Sequence, residues 1–178
     1  LPSDEKDSQK RFLAATINDV RVINVYAPNG KEFDSDPYAF KLDWYQRLRQ
    51  YLETEASKEQ PLLICGDFNI CPQDQDAYDN PSREPGAIFL SEPERKVYQE
   101  LMAWGFEDAF RKLYPEKRAF TWWDYRNAGF ARNAGLRIDH FLLTPTLMER
   151  LVDVSIDREQ RGLENCSDHV PVILTLKD

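Results

Sequence analysis

Long apolar runs are missing from this chain: no stretch approaches the roughly 20 residues that cross a bilayer, and no charged-then-apolar leader opens it. A membrane partner is set aside on that ground, and a soluble cytoplasmic protein is expected. Cysteine is scarce as well. Cys65, Cys71 and Cys166 are odd in number and lack the paired spacing of a metal site, which excludes a disulfide framework and a structural zinc and leaves core thiols. Positive charge is in deficit, with 23 Lys and Arg against 31 Asp and Glu and a net charge of -8. That balance speaks against a broad electropositive footprint for nucleic acid. It does not speak against carboxylates gathered around a divalent cation, which meet phosphate through the metal. Internal repeats and low-complexity tracts are absent. So is an initial Met, the chain opening Leu1-Pro2-Ser3-Asp4, from which a processed or truncated chain is expected.

With 42% hydrophobic and 30% charged residues over 178 positions, the sequence fits one domain, residues 1–178, able to bury a core. Residues 1–10 are polar and expected to fray. Residues 11–17, a turn at Asn18-Asp19 and residues 20–26 read as a β-hairpin, with Tyr26 at a strand end before the loop Ala27-Pro28-Asn29-Gly30. Asp36-Pro37 signals a helix start, the helix running to about Ala56. Its Phe40, Trp44, Leu48, Tyr51 and Leu52 should face a sheet, while Lys41, Arg47, Arg49 and Glu53 face water. A polar loop covers 71–90. Ser91-Glu92-Pro93-Glu94 is a capping box opening a second helix that stops at Gly105, and a short helix follows over 106–114. Strands are expected at 136–143, 151–156 and 170–176. Six strands and two or three helices predict an α/β fold, a mixed β-sheet layer with flanking helices.

The stretch 61–70 organises this pattern. An apolar run ending in Gly66-Asp67-Phe68-Asn69 reads as a buried strand, and alternation would project Asp67 and Asn69 to one side while Phe68 enters the core. One carboxylate and one amide oxygen suit a hard cation such as Mg²⁺; ordinary turn formation is the competing reading. Other strand ends carry chemistry too. Asp139 is a carboxylate inside an apolar strand, costly unless paired or functional. Asp168-His169 immediately precedes the last strand, and an imidazole needs an orienting carboxylate to act as a base.

The segments Asn24-Val25-Tyr26-Ala27-Pro28-Asn29-Gly30, Gly66-Asp67-Phe68-Asn69-Ile70, Thr121-Trp122-Trp123-Asp124-Tyr125-Arg126, Gly135-Leu136-Arg137-Ile138-Asp139 and Ser167-Asp168-His169-Val170-Pro171-Val172 together resemble the exonuclease III family of apurinic/apyrimidinic endonucleases, within the endonuclease/exonuclease/phosphatase superfamily. The resemblance covers nearly the whole chain. It implies part of a four-layer α/β sandwich and a Mg²⁺-dependent DNA repair nuclease, with Mn²⁺ able to substitute. Such an enzyme would cut 5′ to abasic sites and at the 3′ ends of duplex DNA.

By resemblance, Asp67 handles the attacking water or the leaving-group proton, Asn69 orients the nucleophile, and His169 contacts the scissile phosphate. Asp139 polarises His169, Tyr26 stabilises the transition state, and Asp67, Asn69 and Asp168 hold the metal. Trp122, Leu136 and Ile138 would line a pocket for a flipped abasic sugar. Asn29, Arg126 and Arg137 are expected to contact DNA, within a stretch where Arg118, Arg126, Arg132 and Arg137 are interleaved with aromatics.

The sequence departs from the family pattern at its start. The first strand with its Asn, and the Leu-Gln-Glu segment whose Glu is the principal metal ligand, are not found. The chain is therefore expected to correspond to the C-terminal portion of such a nuclease, catalytically weak alone and prone to self-association through an uncovered sheet face. Two other readings stay open: a non-catalytic DNA-binding or folding fragment, and a related phosphodiesterase acting on RNA or lipid headgroups.

Overall fold

The computed structural model describes residues 1–2, 9–80 and 86–178. Most of the segment expected to fray, and part of the 71–90 loop, lie outside the described residues. No helix among them is long and apolar enough to cross a membrane.

The hairpin forms as the alternation requires. Strand β1 (Phe12–Ile17) pairs antiparallel with β2 (Val20–Tyr26), and Asn18 takes the left-handed conformation that a two-residue turn demands. Helix α1 (Asp36–Glu55) then crosses over to β3 (Leu62–Asp67), which runs parallel to β2. Its cap differs from expectation: Ser35, not Asp36, accepts the Tyr38 N–H at 3.3 Å, with Pro37 in the first turn. Helix α2 (Glu92–Trp104) starts at the Ser91 capping box and ends at Gly105, as its sequence signals require.

The later chain is more broken than its hydrophobic runs imply. The expected helix over 106–114 divides into a two-residue strand β4 (Glu107–Asp108) and α3 (Ala109–Leu113). The expected strand over 136–143 divides into β6 (Gly135–Leu136), paired with β5 (Trp122–Trp123), and β7 (Asp139–Leu143). The break has a cause: the Arg137 N–H turns to the Asp76 carbonyl, and the Ile138 carbonyl accepts from Phe68. After α4 (Pro145–Met148), β8 (Leu151–Ile156) and β9 (Val172–Leu176) form a separate antiparallel pair.

The principal sheet has the order β1-β2-β3-β7-β4 and is mixed, as expected for the α/β class. One face buries Ile23, Ile64 and Leu62 against Trp44, Leu48, Leu52 and Leu101 of α1 and α2. The other packs Val20, Leu63 and Leu143 against Phe110, Leu147 and Val154. Cys71 is buried, Cys65 and Cys166 are partly so, and no disulfide links them.

Gly66 lies opposite Val25 across the β2–β3 pairing with φ +123°, and a Cβ there would stand 2.0 Å from the Val25 carbonyl oxygen. A side chain is excluded by backbone, which cannot step aside. Gly66→Ala is expected to lose at least about 3 kcal/mol in urea denaturation, since both strain and collision apply. A change under about 1 kcal/mol would contradict that close approach.

Candidate active site

Strand register builds the site. Tyr26 of β2 lies directly across from Asp67 of β3, and Asp67 directly across from Asp139 of β7, so three candidate site residues form one row across adjacent strand ends. Residues paired in register share a face of the sheet. His169 joins the row from a distant segment. Trp122 bridges to His169, Trp123 N–H donates to the Asp168 carbonyl at 3.0 Å, and Val170 N–H donates to the Thr121 carbonyl at 2.9 Å. This brings the His169 Nδ1 to 2.9 Å from Asp139 Oδ2 and leaves its Nε2 4.0 Å from Asp67 Oδ2.

Each carboxylate is held. Thr121 Oγ1 donates to Asp139 Oδ2 at 2.6 Å while itself accepting the Ile138 and Asp139 N–H groups. Thr121 was not singled out in the sequence, although it opens the Thr-Trp-Trp segment. Asp67 accepts from the Asn69 backbone N–H at 2.8 Å and from its side-chain amide at 3.0 Å. That reach needs Asn69 in the left-handed region, at φ 51°. The Asn69 amide also donates to the Ala27 carbonyl, and its oxygen accepts from Asn29 at 3.2 Å. Strand alternation does not therefore persist through Asn69 as expected, because the chain turns there.

The Asn69 amide is thus spent on Asp67 and the Ala27 carbonyl, and a metal at its oxygen would share that oxygen with Asn29. Asp67 and Asp168 remain as hard oxygen donors, Asp168 Oδ2 accepting from the Trp122 indole at 2.9 Å. Among the described residues no group of three or more His, Cys, Asp or Glu side chains is arranged to hold a metal ion by itself. One or two carboxylates fit a cation of the Mg²⁺ type, which keeps waters and takes further ligands from substrate phosphate.

Burial and the neighbouring Asp139 charge push the Asp67 carboxyl up to about 7. Burial works against the His169 cation, but the Asp139 hydrogen bond and charge, with Asp67 and Asp168 behind them, outweigh it and raise the imidazole above its ordinary value. The pair thus sets a carboxyl weakened as an acid beside an imidazole strengthened as a base.

Beneath this row sits a cation that was expected to face water. Lys41 is fully buried (0% exposed); its Nζ pairs with Glu94 and donates to the Asn69 carbonyl at 2.6 Å and the Asn29 carbonyl at 3.3 Å. Glu94 in turn accepts from Ser91 and Phe89 N–H groups. The helical phase of α1 is rotated from the expected one, because Lys41 lies on the same side as Trp44, Tyr45 and Leu48. The capping-box Glu94 gave half of the signal; its partner on another helix was not legible.

The expected DNA-contact residues separate into groups. Trp122, Leu136 and Ile138 cluster with Cys71, Ala77 and Phe89 beside the row, an apolar wall next to Asp168. Arg126 is exposed but engaged by Asp124, its Nη2 at 2.6 Å from the carboxylate. Arg118 is engaged by Asp79 at 2.6 and 2.8 Å. Arg137 is a correction: it is 1% exposed and locked to Asp76 at 2.6 Å and Asp108 at 2.9 Å, with His140 Nδ1 at 3.0 Å, so it contacts no ligand. Burial and the Arg137 charge push His140 down to about 4, leaving a neutral ring that accepts from Arg137 and donates to the Ile70 carbonyl.

The sequence profile described as the Endonuclease/Exonuclease/phosphatase family matches residues 5–169. Exodeoxyribonuclease III of Haemophilus influenzae is 42% identical over 97% of this chain and 68% of its own length. DNA repair nuclease APEX1 of Danio rerio is 32% identical over 99% of this chain and 55% of its own. Among solved structures, the 3′-5′ exonuclease NExo of Neisseria meningitidis superposes with a TM-score of 0.93 at 43% identity, covering 99% of this chain and 68% of that one. An AP endonuclease from Archaeoglobus fulgidus gives 0.93 at 34%, with the same coverages. The chain thus spans about two thirds or less of the length of these relatives.

Two outcomes are expected from these geometries. Lys41→Met leaves Glu94 buried without its cation and should cost roughly 3–5 kcal/mol in urea denaturation, most of it recovered in Lys41→Met/Glu94→Leu. Failure of the double variant to recover would place the loss elsewhere. In metal-free protein, a carboxyl that titrates near 7 when folded and near its ordinary value unfolded makes the native state bind the extra proton between those limits. Stability from Asp67 therefore falls as pH rises through that window. Asp67→Asn should gain stability relative to the parent at pH 8 and lose that advantage at pH 5, measured as urea midpoints.

Proposed function

We propose that this chain, which belongs to the endonuclease/exonuclease/phosphatase family, acts in DNA repair as a phosphodiesterase that cuts duplex DNA 5′ to abasic sites and at 3′ ends. The observation that carries the reading is the row Tyr26, Asp67 and Asp139, closed by His169. Metal dependence is a property of the family, and Mg²⁺, with Mn²⁺ able to substitute, suits the two carboxylates Asp67 and Asp168. Such a cation, when bound, supplies charge neutralisation at the phosphate.

The chain's own residues account for the rest. His169, whose protonated form Asp139 favours, donates from Nε2 toward a non-bridging phosphate oxygen and stabilises charge as it develops. Asp67, the carboxylate nearest the His169 Nε2, is placed for proton transfer, whether it takes the proton of the attacking water or gives one to the departing 3′ oxygen. Asn69 fixes both carboxylate oxygens of Asp67. Tyr26, exposed and directly across from Asp67 at the end of the row, is proposed to stabilise the transition state, and Asn29, bonded to Asn69, to contact the DNA backbone. Trp122, partly exposed, is proposed to offer an abasic sugar an apolar surface, with Leu136 and Ile138 buried behind it.

The isolated 178-residue chain is also proposed to self-associate. Leu13 and Ile17 stand on one face of β1, an edge strand, and both are exposed, which is an arrangement that invites pairing between chains. Light scattering that shows a strict monomer at tens of micromolar would remove this proposal.

On an abasic duplex with Mg²⁺, Asp67→Asn and His169→Ala in a protein carrying this site are each expected to lower turnover by at least about 10²-fold with the fold retained. Near-parental cleavage by a folded Asp67→Asn variant would sink the assignment. Binding without cleavage in the parent would favour a DNA-binding role instead.

A further inference from the structure

Successive strand residues point to opposite faces, and the two tryptophans of β5 use this: Trp122 turns to Asp168, while Trp123 lines a separate cavity of about 440 Å³. Tyr114 and Phe120 form further aromatic wall there, and Asp153 to Ile156 along β8 close the far side. Lys117, Arg118 and Arg158 also line it. Arg118 is neutralised by Asp79. Lys117 and Arg158 are not: among the described residues neither has a carboxylate within ion-pair distance. Lys117 Nζ lies 4.6 Å from the Tyr114 ring centre, and Arg158 lies 4.3 Å over Phe130 with a long 3.5 Å approach to Asn133. The carboxylate in the lining, Asp153, accepts from the Tyr114 hydroxyl at 2.6 Å.

Two unpaired cations beside an aromatic cavity, in a chain of net charge -8, define a ligand class. The charges call for an anion and the walls for a flat ring. The volume falls within the roughly 300–1,000 Å³ of small-molecule sites.

We propose that this cavity is a binding site for a nucleoside 5′-monophosphate. The phosphate lies between Lys117 and Arg158, the base enters against Phe120 and Tyr114, and Asp153 faces a ring donor. The site is distinct from the row of Tyr26, Asp67, Asp139 and His169. The choice of this anion over other aromatic anions rests on the proposed function: hydrolysis at a 3′ end that leaves a 3′ hydroxyl releases a nucleoside 5′-monophosphate. The cavity would then hold the enzyme's own product.

The four tryptophans provide the test, because their indole N–H groups report by NMR on separate places. Metal-free protein is titrated with dTMP, thymidine and inorganic phosphate. The expected result is a saturating shift of the Trp123 indole with dTMP, at a Kd of about 1 mM or tighter, with the Trp122 indole still. Thymidine and phosphate each bind about tenfold more weakly or worse. Lys117→Ala/Arg158→Ala, folded by circular dichroism, loses about tenfold or more in dTMP affinity, and Asp67→Asn keeps it. A shift of Trp122 in place of Trp123 would put the nucleotide at the strand-end row and overturn the proposal. So would equal affinity for phosphate alone, indifference to the double variant, or no shift at all. The binding measurement needs no turnover. If dTMP binds but no DNA is cleaved, the nuclease reading fails and the site stands; if DNA is cleaved and dTMP does not bind, the site alone fails.

Discussion

The register of β3 between its two neighbours is the constraint on which the rest depends. Because β3 runs parallel to β2 and antiparallel to β7, the C-terminal ends of β2 and β3 meet the N-terminal end of β7. Tyr26, Asp67 and Asp139 are adjacent for that reason and no other. A slip of one residue would turn Asp67 into the opposite face and bring Gly66 into the row. Gly66 enforces the register locally, since its missing Cβ lets the Val25 carbonyl come closer than any side chain would permit.

Two buried ion clusters brace this edge from behind. The Lys41–Glu94 pair ties α1, α2 and the Asn69 turn at a single point. Arg137, with Asp76, Asp108 and the neutral His140, ties the break between β6 and β7 to the loop after β3 and to β4. Buried pairs of this sort contribute little net stability against an apolar alternative and cost several kcal/mol when half is removed. Their use here is positional: each fixes backbone carbonyls or turns that ordinary strand pairing leaves free, close to the residues that must not move.

Charge is arranged economically across the remaining surface. The Arg-rich stretch that looks like an electropositive patch is largely compensated from within, Arg118 by Asp79, Arg126 by Asp124 and Arg137 by its buried carboxylates. With its arginines so paired, this acidic chain has little broad basic face among the described residues, and the proposed function leans on a bound cation and His169 in its place. Lys117 and Arg158 are exceptions to that compensation, which is why the cavity between them carries information.

The sequence by itself determined the elements whose signals are local. The hairpin turn at Asn18-Asp19, the Ser91 capping box with its stop at Gly105, the apolar run of β3 and the mixed α/β class could all be read from it. These depend on alternation, caps and turn chemistry within a few residues. Strand-end positions of Tyr26 and Asp67 were legible for the same reason, and the ordered motifs pointed to the family; His169, expected directly before a strand at 170–176, instead bridges Trp122 ahead of β9. Only tertiary structure decided which charges stay in water. Lys41 and Arg137 carry no local mark of burial, because what buries them is a carboxylate on another element, Glu94 on α2 or Asp76 in the loop. Nor could alternation place Asn69, whose left-handed turn is held by Asp67, Ala27 and Asn29 at once. The strand break at 137–138 was likewise hidden, since its backbone groups are satisfied by Asp76 and Phe68, far away along the chain. Hydrogen-bond and charge partners distant in sequence are fixed by packing, and a single sequence has no period or spacing that records them.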